Sequence, residues 1–379
     1  MASLFGRRAT EPRPPGADLL PPEPVAAYGH DVLPPGPAAV HGQDVQPPEP
    51  VAAYGPDVLP PGPVAAQPRH AKDPQPPASR TADRTDPWRP VVVGRPVADF
   101  PAAPPTGLSY RPDTLCDGWS TPALHLRLAS VRGYQHRYDG RPREDDAAAA
   151  YHPETGTVAF AVADGVSDAR QPHVGSQLAC RSAVDELLSQ LTASGVHNTD
   201  WSRLLTTVHW QLVEQARRIL HRPDADVLAT EELLATTLVA GTATPTPQGV
   251  EVAVVSVGDS GVWQLKGGRI HRLVGGKDST ADGLVSSTVS PLPRIPQHFR
   301  PQTFYLDPGS VVLVGTDGFG DPVGDGEGDV ARLFVRELRE PVSPLRFAHL
   351  LDFSRETFDD DRTLVALWNT GHGSEVRPA

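Results

Sequence analysis

The stretch Val162-Ala163-Asp164-Gly165 ends an apolar run of the kind that forms a buried strand. Its aspartate stands where a strand gives way to a turn. Similar acidic stretches lie at the ends of other strand-like runs: Arg141 to Asp146, Val257 to Ser260, Thr316 to Gly318 and Phe358 to Thr363. Carboxylates at strand ends can meet in space although they are far apart in sequence. Because clustered aspartates without a matching basic cluster are the usual ligands of Mg²⁺ or Mn²⁺, the sequence predicts a cation site.

Composition separates the chain into two parts. Of its 379 residues, 43 are proline and 34 are glycine, and the net charge is −12. The prolines are concentrated in the first hundred residues, so the segment from about Asp117 to Thr370 is the part long enough for a sizeable core. The acidic balance argues against nucleic-acid binding, which needs a basic face.

Several features bear on the cellular location. Cys116 and Cys180 are too few for a disulfide framework. No apolar run reaches the roughly 18 residues of a membrane span, and Met1 to Arg8 does not begin an apolar signal sequence. We therefore expect a cytoplasmic protein, monomeric and without membrane contact.

The N-terminal region repeats a unit of thirteen residues. The unit Pro21–Leu33 recurs as Pro34–Gln46 and Pro47–Leu59, and in decayed form as Pro60–Lys72. Such dense proline cannot supply helix or strand hydrogen bonds, so residues 1–85 are predicted to be a disordered tail. The tail is interpreted as a spacer, with a ligand for a proline-recognising domain as the alternative.

Two short segments flank the predicted domain. Residues 86–116 are interpreted as a linker that contains a packing anchor, because Trp88, the run Val91–Val93 and Phe100 are apolar. Residues 371–379 are interpreted as a C-terminal tail.

Strands and helices are predicted between these segments. Leu124–Val131 alternates as a strand does, and Asp200 is a candidate N-cap for a helix. A preceding helix is predicted from the spacing of Leu178 to Leu191. Further strands are predicted at Ala147–Tyr151, Thr157–Ala163, Thr236–Thr242, Val250–Val257, Gly261–Leu265, Arg269–Val274, Val311–Gly315 and Thr363–Trp368, and further helices near Val330–Leu338 and Pro344–Leu351. This pattern indicates an α+β fold of two antiparallel sheets covered by helices.

Six motifs in order resemble those of the metal-dependent, type 2C serine/threonine protein phosphatases, in particular bacterial members. The motifs are Arg141 to Asp146, Ala163-Asp164-Gly165, Ala235-Thr236-Thr237, Val257 to Ser260, Thr316-Asp317-Gly318 and Asp360 to Thr363. The resemblance covers residues 123–369. It implies a four-layer α/β/β/α sandwich for a phosphatase domain at residues 117–370.

The resemblance also implies roles for single residues. Asp164 matches an aspartate that bridges two Mn²⁺ or Mg²⁺ ions, and the Gly165 carbonyl matches a further ligand. Asp317 and Asp360 match ligands of the first ion, and either Asp145 or Asp146 matches the carboxylate of the second. Asp259 matches a ligand of a third, weaker ion.

Arg141 matches the arginine that binds phosphate in the family. It stands four residues before Asp145, and this spacing favours a motif with Asp145-Asp146 as its acidic pair over one with Glu144-Asp145. The loop that begins at Lys277, with Asp278, matches a mobile flap. Two departures are Val166 to Ala169 in place of a methionine and two glycines, and Asp361 where asparagine is usual.

The implied activity is hydrolysis of phosphoserine and phosphothreonine in a phosphoprotein, the product of a serine/threonine kinase. Two ions would activate a water molecule and neutralise the phosphoryl oxygens. One alternative is a catalytically silent regulatory module that binds a phosphoprotein or a kinase. Another is a phosphatase dedicated to one regulatory partner, as in sigma-factor control.

Overall fold

The structure is a computed structural model, and it describes residues 87–104, 113–196, 198–275 and 290–371. All of these residues belong to one compact unit of the chain. The repeats, the last residues from 372 onward and the loop segment at 276–289, which includes Asp278, lie outside the described residues.

Eleven strands in the described ranges form two antiparallel sheets. In spatial order the first contains β1 (Thr114–Ser120), β2 (Leu124–Val131), β11 (Arg362–Asn369), β10 (Val311–Gly315), β7 (Gly261–Lys266) and β8 (Arg269–Val274). The second contains β3 (Asp146–His152), β4 (Thr157–Ala163), β5 (Leu238–Thr246), β6 (Gly249–Val257) and β9 (Gln302–Leu306). Apolar side chains from the inner faces, among them Leu126, Phe160 and Val314, form the core between the sheets.

Helices cover both outer faces. The helices are α1 (Tyr134–Asp139), α2 (Pro172–Ser194), α3 (Trp201–Leu220), α4 (Val227–Leu234), α5 (Asp317–Val323), α6 (Asp329–Glu337) and α7 (Pro344–Leu351). Residues of α2, α3 and α4 share a core with the second sheet. Residues of α5, α6 and α7 share a core with the first. The predicted four-layer α/β/β/α sandwich is confirmed.

Local predictions hold best where the pattern is long. β2 has the predicted bounds, and Asp200 caps α3 by accepting a hydrogen bond from the Arg203 N–H at 2.9 Å. The strand predicted from Thr236 begins at Leu238, because Thr236 forms isolated bridges outside the named strands. Elements that the sequence did not predict are β1, β9, α1, α4 and α5. They are short or lie at sheet edges, and α5 contains Pro322, so their patterns resemble those of turns.

The segment of residues 87–104 contacts the domain. Val93 is buried, its N–H donates to the Ser354 carbonyl at 3.0 Å, and the Val91 carbonyl accepts from Ser354 at 2.7 Å. Phe100 packs edge-on against Tyr138. Trp88 is 60% exposed, so this side chain covers less apolar surface than its type indicated.

None of the helices in the described ranges has the length and apolar character needed to cross a bilayer.

Candidate metal centre

Four acidic side chains meet where strands end at one edge of the sandwich. Asp164 follows β4, Asp259 lies between β6 and β7, and Asp317 begins α5 directly after β10. One carboxylate oxygen from each of these three lies within 4.8 Å of the others. Asp360 precedes β11 and lines a cleft together with Asp317. The structure therefore brings together aspartates that the sequence separates widely.

The backbone of Asp164 is held by the two threonines of the Ala-Thr-Thr motif. Its carbonyl accepts hydrogen bonds from the Thr237 N–H at 2.7 Å and the Thr236 hydroxyl at 2.8 Å, and its own N–H donates to the Thr237 hydroxyl at 3.0 Å. The motif thus fixes the direction in which β4 ends. The following residue must be glycine, since a Cβ at Gly165 would lie 2.7 Å from Pro172 and 2.8 Å from the Glu144 carbonyl oxygen.

The Gly-Asp-Ser turn that carries Asp259 is held by the same threonine. The Thr237 and Ser260 hydroxyls are 2.9 Å apart. Gly258 has φ +103° and a Cβ there would approach Thr237 to 2.7 Å, so both backbone conformation and space require glycine. Asp164 and Asp259 are therefore positioned from one common support.

A fifth carboxylate, that of Asp145, joins the cluster from the segment before β3. It accepts a hydrogen bond from the Thr316 hydroxyl at 2.8 Å and shares a hydrogen bond with Asp164. Thr316 also accepts from the Thr363 N–H at 3.1 Å, which connects β10 to the start of β11.

Burial and mutual repulsion raise the pKa values of the cluster. Burial raises the pKa of Asp145 and of Asp164 well above the ordinary range, with further repulsion from neighbouring carboxylates that include Asp360. Burial, then Asp360 and Asp259, raise the pKa of Asp317 to about 6. Burial and then Asp361 raise the pKa of Asp360. Without a cation, this set of oxygens holds protons at a pH where an exposed aspartate holds none.

The structure distinguishes the two alternatives for the second carboxylate. Asp145 enters the cluster, whereas the Asp146 side chain accepts from the Ala147 N–H and lies 3.8 Å from the buried Arg143 guanidinium. Asp145 is thus the candidate whose side chain joins the cluster, since successive residues at a strand start point to opposite sides. The preference for an Asp145-Asp146 pair stays a prediction.

Arg141 contacts Glu144, the residue before Asp145. Its Nη2 lies 2.6 Å from Glu144 Oε1 and 3.4 Å from the Ser167 carbonyl oxygen, and its side chain is 41% exposed. In the described part of the chain both hydrogen bonds of this guanidinium use Nη2. A phosphate-binding role for Arg141 stays a prediction.

The atypical loop after Gly165 docks on α4. The Val166 N–H donates to the Ala235 carbonyl at 2.9 Å, and the Gln171 N–H donates to the Leu233 carbonyl at 2.8 Å. Although this loop lacks the methionine and two glycines that are usual in the family, Asp164 and Gly165 lie in a turn that is held by backbone hydrogen bonds.

Comparison with protein families now adds to this geometry. The family described as protein phosphatase 2C matches residues 132–353, more than half of the chain. The protein belongs to the protein phosphatase 2C family. Comparison of the sequence with curated proteins gives no match.

Solved structures of phosphatases are similar to this family member, at low identity. The serine/threonine phosphatase of S. agalactiae is 15% identical, with a TM-score of 0.47, and the match covers 65% of this chain and 99% of that one. The Mycobacterium tuberculosis phosphatase PstP/Ppp is 18% identical, with a TM-score of 0.43 and coverage of 66% and 100%. The catalytic domain of PstP in complex with two manganese ions is 18% identical, with a TM-score of 0.43, and the match covers 65% of this chain and 97% of that one.

The residues of this phosphatase 2C protein fit a divalent cation. The donor set is carboxylate oxygen throughout, which suits Mg²⁺ and Mn²⁺. The raised pKa values of Asp145 and Asp164 reflect burial and the repulsion between neighbouring carboxylates, and a bound cation would relieve that repulsion. The Asp cluster could therefore hold metal, as expected for a member of a family that uses divalent ions.

Sequence reasoning missed three supporting residues. For Thr316 the available signal is its position beside Asp317. For Asp361 the available signal is an aspartate where asparagine is usual in the family. His136, which lies against Asp361, belongs to no motif and gave no signal.

Proposed function

We propose that this protein is a phosphoprotein phosphatase that hydrolyses phosphoserine and phosphothreonine with bound Mn²⁺ or Mg²⁺. The observation that carries the proposal is the convergence of Asp164, Asp259 and Asp317, with Asp145 bonded to Asp164, in a phosphatase 2C chain. The phosphoprotein would be the product of a serine/threonine kinase.

In this proposal the carboxylates would divide the ions among them. Asp164 and the Gly165 carbonyl would contribute to both principal ions, Asp317 and Asp360 would hold one of them, and Asp145 would hold the other. Asp259 would hold a third ion more weakly. Bound divalent ions supply an acidified water molecule and positive charge for the phosphoryl oxygens.

The remaining residues of the site orient the substrate. Arg141 presents a planar set of N–H donors, which suits the oxygens of a phosphate monoester better than a point charge does. In the described part of the chain, the ion pair between Arg141 and Glu144 uses Nη2 of the guanidinium. The other N–H groups of Arg141 could therefore donate to phosphate while this ion pair persists.

A catalytically silent binding module is less consistent with the site. Binding alone does not require several buried carboxylates, whose repulsion destabilises the metal-free fold. Dedication to one regulatory partner is compatible with the same site and concerns the substrate rather than the chemistry.

The test is release of p-nitrophenol from p-nitrophenyl phosphate by the full chain, with Mn²⁺, with Mg²⁺ and with excess EDTA. We expect turnover with a divalent ion and none with EDTA. Phosphopeptides with phosphoserine, phosphothreonine and phosphotyrosine then test the substrate class. Failure of Mn²⁺ and Mg²⁺ to support hydrolysis of any of these would contradict the proposal.

A further inference from the structure

A buried histidine lies directly behind the aspartate cluster. His136 on α1 is 5% exposed, and it is flanked by two acidic side chains that are each 2% exposed, Glu144 and Asp361. Its Nδ1 lies 3.0 Å from Asp361 Oδ2, and its Nε2 lies 3.8 Å from Glu144 Oε2. Both ring nitrogens therefore face carboxylate oxygens.

The two carboxylates stabilise a cationic ring. A neutral imidazole carries one N–H and one lone pair, so it would direct a lone pair at one of the two carboxylates. Burial alone would lower the pKa of His136, but Asp361 and then Glu144 outweigh burial and raise that pKa to about 9. The geometry and the electrostatics agree on an imidazolium.

The partners of His136 are the immediate neighbours of proposed ligands. Asp361 follows Asp360, and Glu144 precedes Asp145. Asp361 also joins the two segments directly, because its Oδ2 accepts from the Glu144 N–H at 2.5 Å. Its Oδ1 accepts from the Gly133 N–H at 2.6 Å, which ties in the start of α1.

The other carboxylate oxygen of Glu144 forms an ion pair with an arginine. Oε1 lies 2.6 Å from Arg141 Nη2, so Glu144 is held between a half-exposed arginine and a buried histidine. A side chain fixed from both sides restricts the backbone of the residue that follows it, which is Asp145.

We propose that His136 is a positioning residue for the metal centre: its imidazolium joins Asp361 to Glu144 and so holds Asp360 and Asp145 at their ligand positions. This inference rests on the proposed function, because it concerns the same site. His136 contacts neither the substrate nor the ions; it acts through the two segments that it joins.

The direction of the effect on metal affinity separates positioning from simple charge. A cation near the site repels metal ions, so removing it should tighten Mn²⁺ binding if His136 acts only as a charge. If His136 positions the ligands, its loss should weaken binding. Residues that orient metal ligands typically change metal affinity by about 10- to 100-fold when they are replaced.

The experiment is calorimetric titration of the full-length protein with Mn²⁺. For His136→Gln we expect a Kd at least about tenfold higher than that of the wild type. The matched control is His152→Gln. His152 is also buried, with its two ring nitrogens near the Thr155 and Thr192 hydroxyls at 2.9 and 3.1 Å, but it lies at the far end of β3. We expect its Kd for Mn²⁺ to be unchanged.

A second variant covers the case in which His136→Gln does not fold. Asp361→Asn breaks the same pair from the other side and should also raise the Kd, through lost positioning in addition to the loss of one negative charge near the site. If the two residues act as one unit, the Kd of the double variant His136→Gln/Asp361→Asn for Mn²⁺ should be no higher than the higher Kd of the two single variants. If the two residues contributed independently, the factors by which the single variants raise the Kd would multiply in the double variant. That result would contradict a joint positioning role.

The outcomes separate the two proposals. Wild-type protein that binds Mn²⁺ and hydrolyses phosphoesters, together with unchanged or tighter binding by folded His136→Gln, overturns the positioning role alone. If His136→Gln does not fold, an unchanged Kd for Asp361→Asn overturns it. Wild-type protein that binds no Mn²⁺ overturns the proposed function and this inference together.

Discussion

The Thr316 hydroxyl donates a hydrogen bond to the Asp145 carboxylate at 2.8 Å, and 171 positions of sequence separate the two residues. Thr316 is fully buried, and Asp145 nearly so. The bond connects the end of β10 in one sheet to the segment that begins β3 in the other. The candidate metal centre thus lies where the two sheets are joined through buried polar groups, and its geometry depends on the way the sheets pack.

Replacing Thr316 tests this connection. In Thr316→Val the shape is kept, but the Asp145 carboxylate loses its donor and the Thr363 N–H loses its acceptor. We expect the free energy of unfolding to fall by about 2 kcal/mol, since buried polar groups would be left unsatisfied. Urea unfolding in Mn²⁺ measures the change. Thr316→Ser keeps the hydroxyl and is the control; equal stability of the two variants would show that the bonds contribute nothing.

The aspartates of the cluster should be essential for turnover. Asp164→Ala or Asp317→Ala removes a residue proposed as a central ligand, so we expect less than about a tenth of wild-type activity with Mn²⁺. Asp259→Ala should be milder, because Asp259 is proposed to hold only the third, weaker ion. Phosphate release measures all three, with Asp185→Ala, an exposed carboxylate on α2, as control. Substantial activity in Asp164→Ala would rule out the bridging role.

Arg141 should affect substrate binding more than chemistry. Arg141→Lys keeps the charge but loses the planar set of donors, so the apparent KM for a phosphopeptide should rise several-fold. Steady-state kinetics of the variant measure this, with Arg181→Lys on the exposed face of α2 as control. Unchanged kinetics in both Arg141→Lys and Arg141→Ala would show that Arg141 only neutralises Glu144.

The metal-free protein should lose stability as the pH rises. The pKa of Asp317 is raised from 3.8 to about 6 in the folded protein, so the folded state binds more protons than the unfolded state across that interval. Stability from this group is therefore present below pH 3.8 and is lost as the pH rises through about 6. In EDTA we expect a higher melting temperature at pH 5 than at pH 7.

The pH effect has an internal control in Asp317→Asn. This variant lacks the titrating group, so its melting temperature should change less between pH 5 and pH 7. Mn²⁺ should raise the wild-type melting temperature most at pH 7. At this pH Asp317 is largely deprotonated, so Mn²⁺ does not compete with a proton for its carboxylate. A wild-type protein that is more stable at pH 7 in EDTA, with the same slope in Asp317→Asn, would contradict this account.

The segment before the domain should stabilise it. Deletion of residues 1–80 should leave the melting temperature unchanged, because their sequence has too few large apolar residues for a core. Deletion of residues 1–100 also removes buried Val93, which contributes about 2 kcal/mol. The expected result is a melting temperature lower by about 5 °C.

A matched pair of point variants checks the anchor without truncation. Val93→Ala removes buried methyl groups, whereas Val92→Ala changes a side chain that is 53% exposed. Only Val93→Ala should lower the melting temperature. Equal midpoints for the two deletions would leave the first hundred residues without a stabilising role.

The sequence by itself determined the fold class and the aspartates that form the site. Alternating strands such as Leu124–Val131 and capped helices such as the one after Asp200 are local patterns, and local chemistry is enough to predict them. Motif order then pointed to Asp164, Asp317 and Asp360 without knowledge of any distance.

Only the tertiary structure decided which neighbours serve these aspartates. Asp145 and Asp146 are equivalent as letters, but the start of β3 directs one to Thr316 and the other to Arg143. The position of His136 between Glu144 and Asp361 depends on the packing of α1 against two distant segments. Contacts of this kind follow from the way the two sheets and their connecting segments pack together, and no periodicity or spacing along the chain encodes that packing.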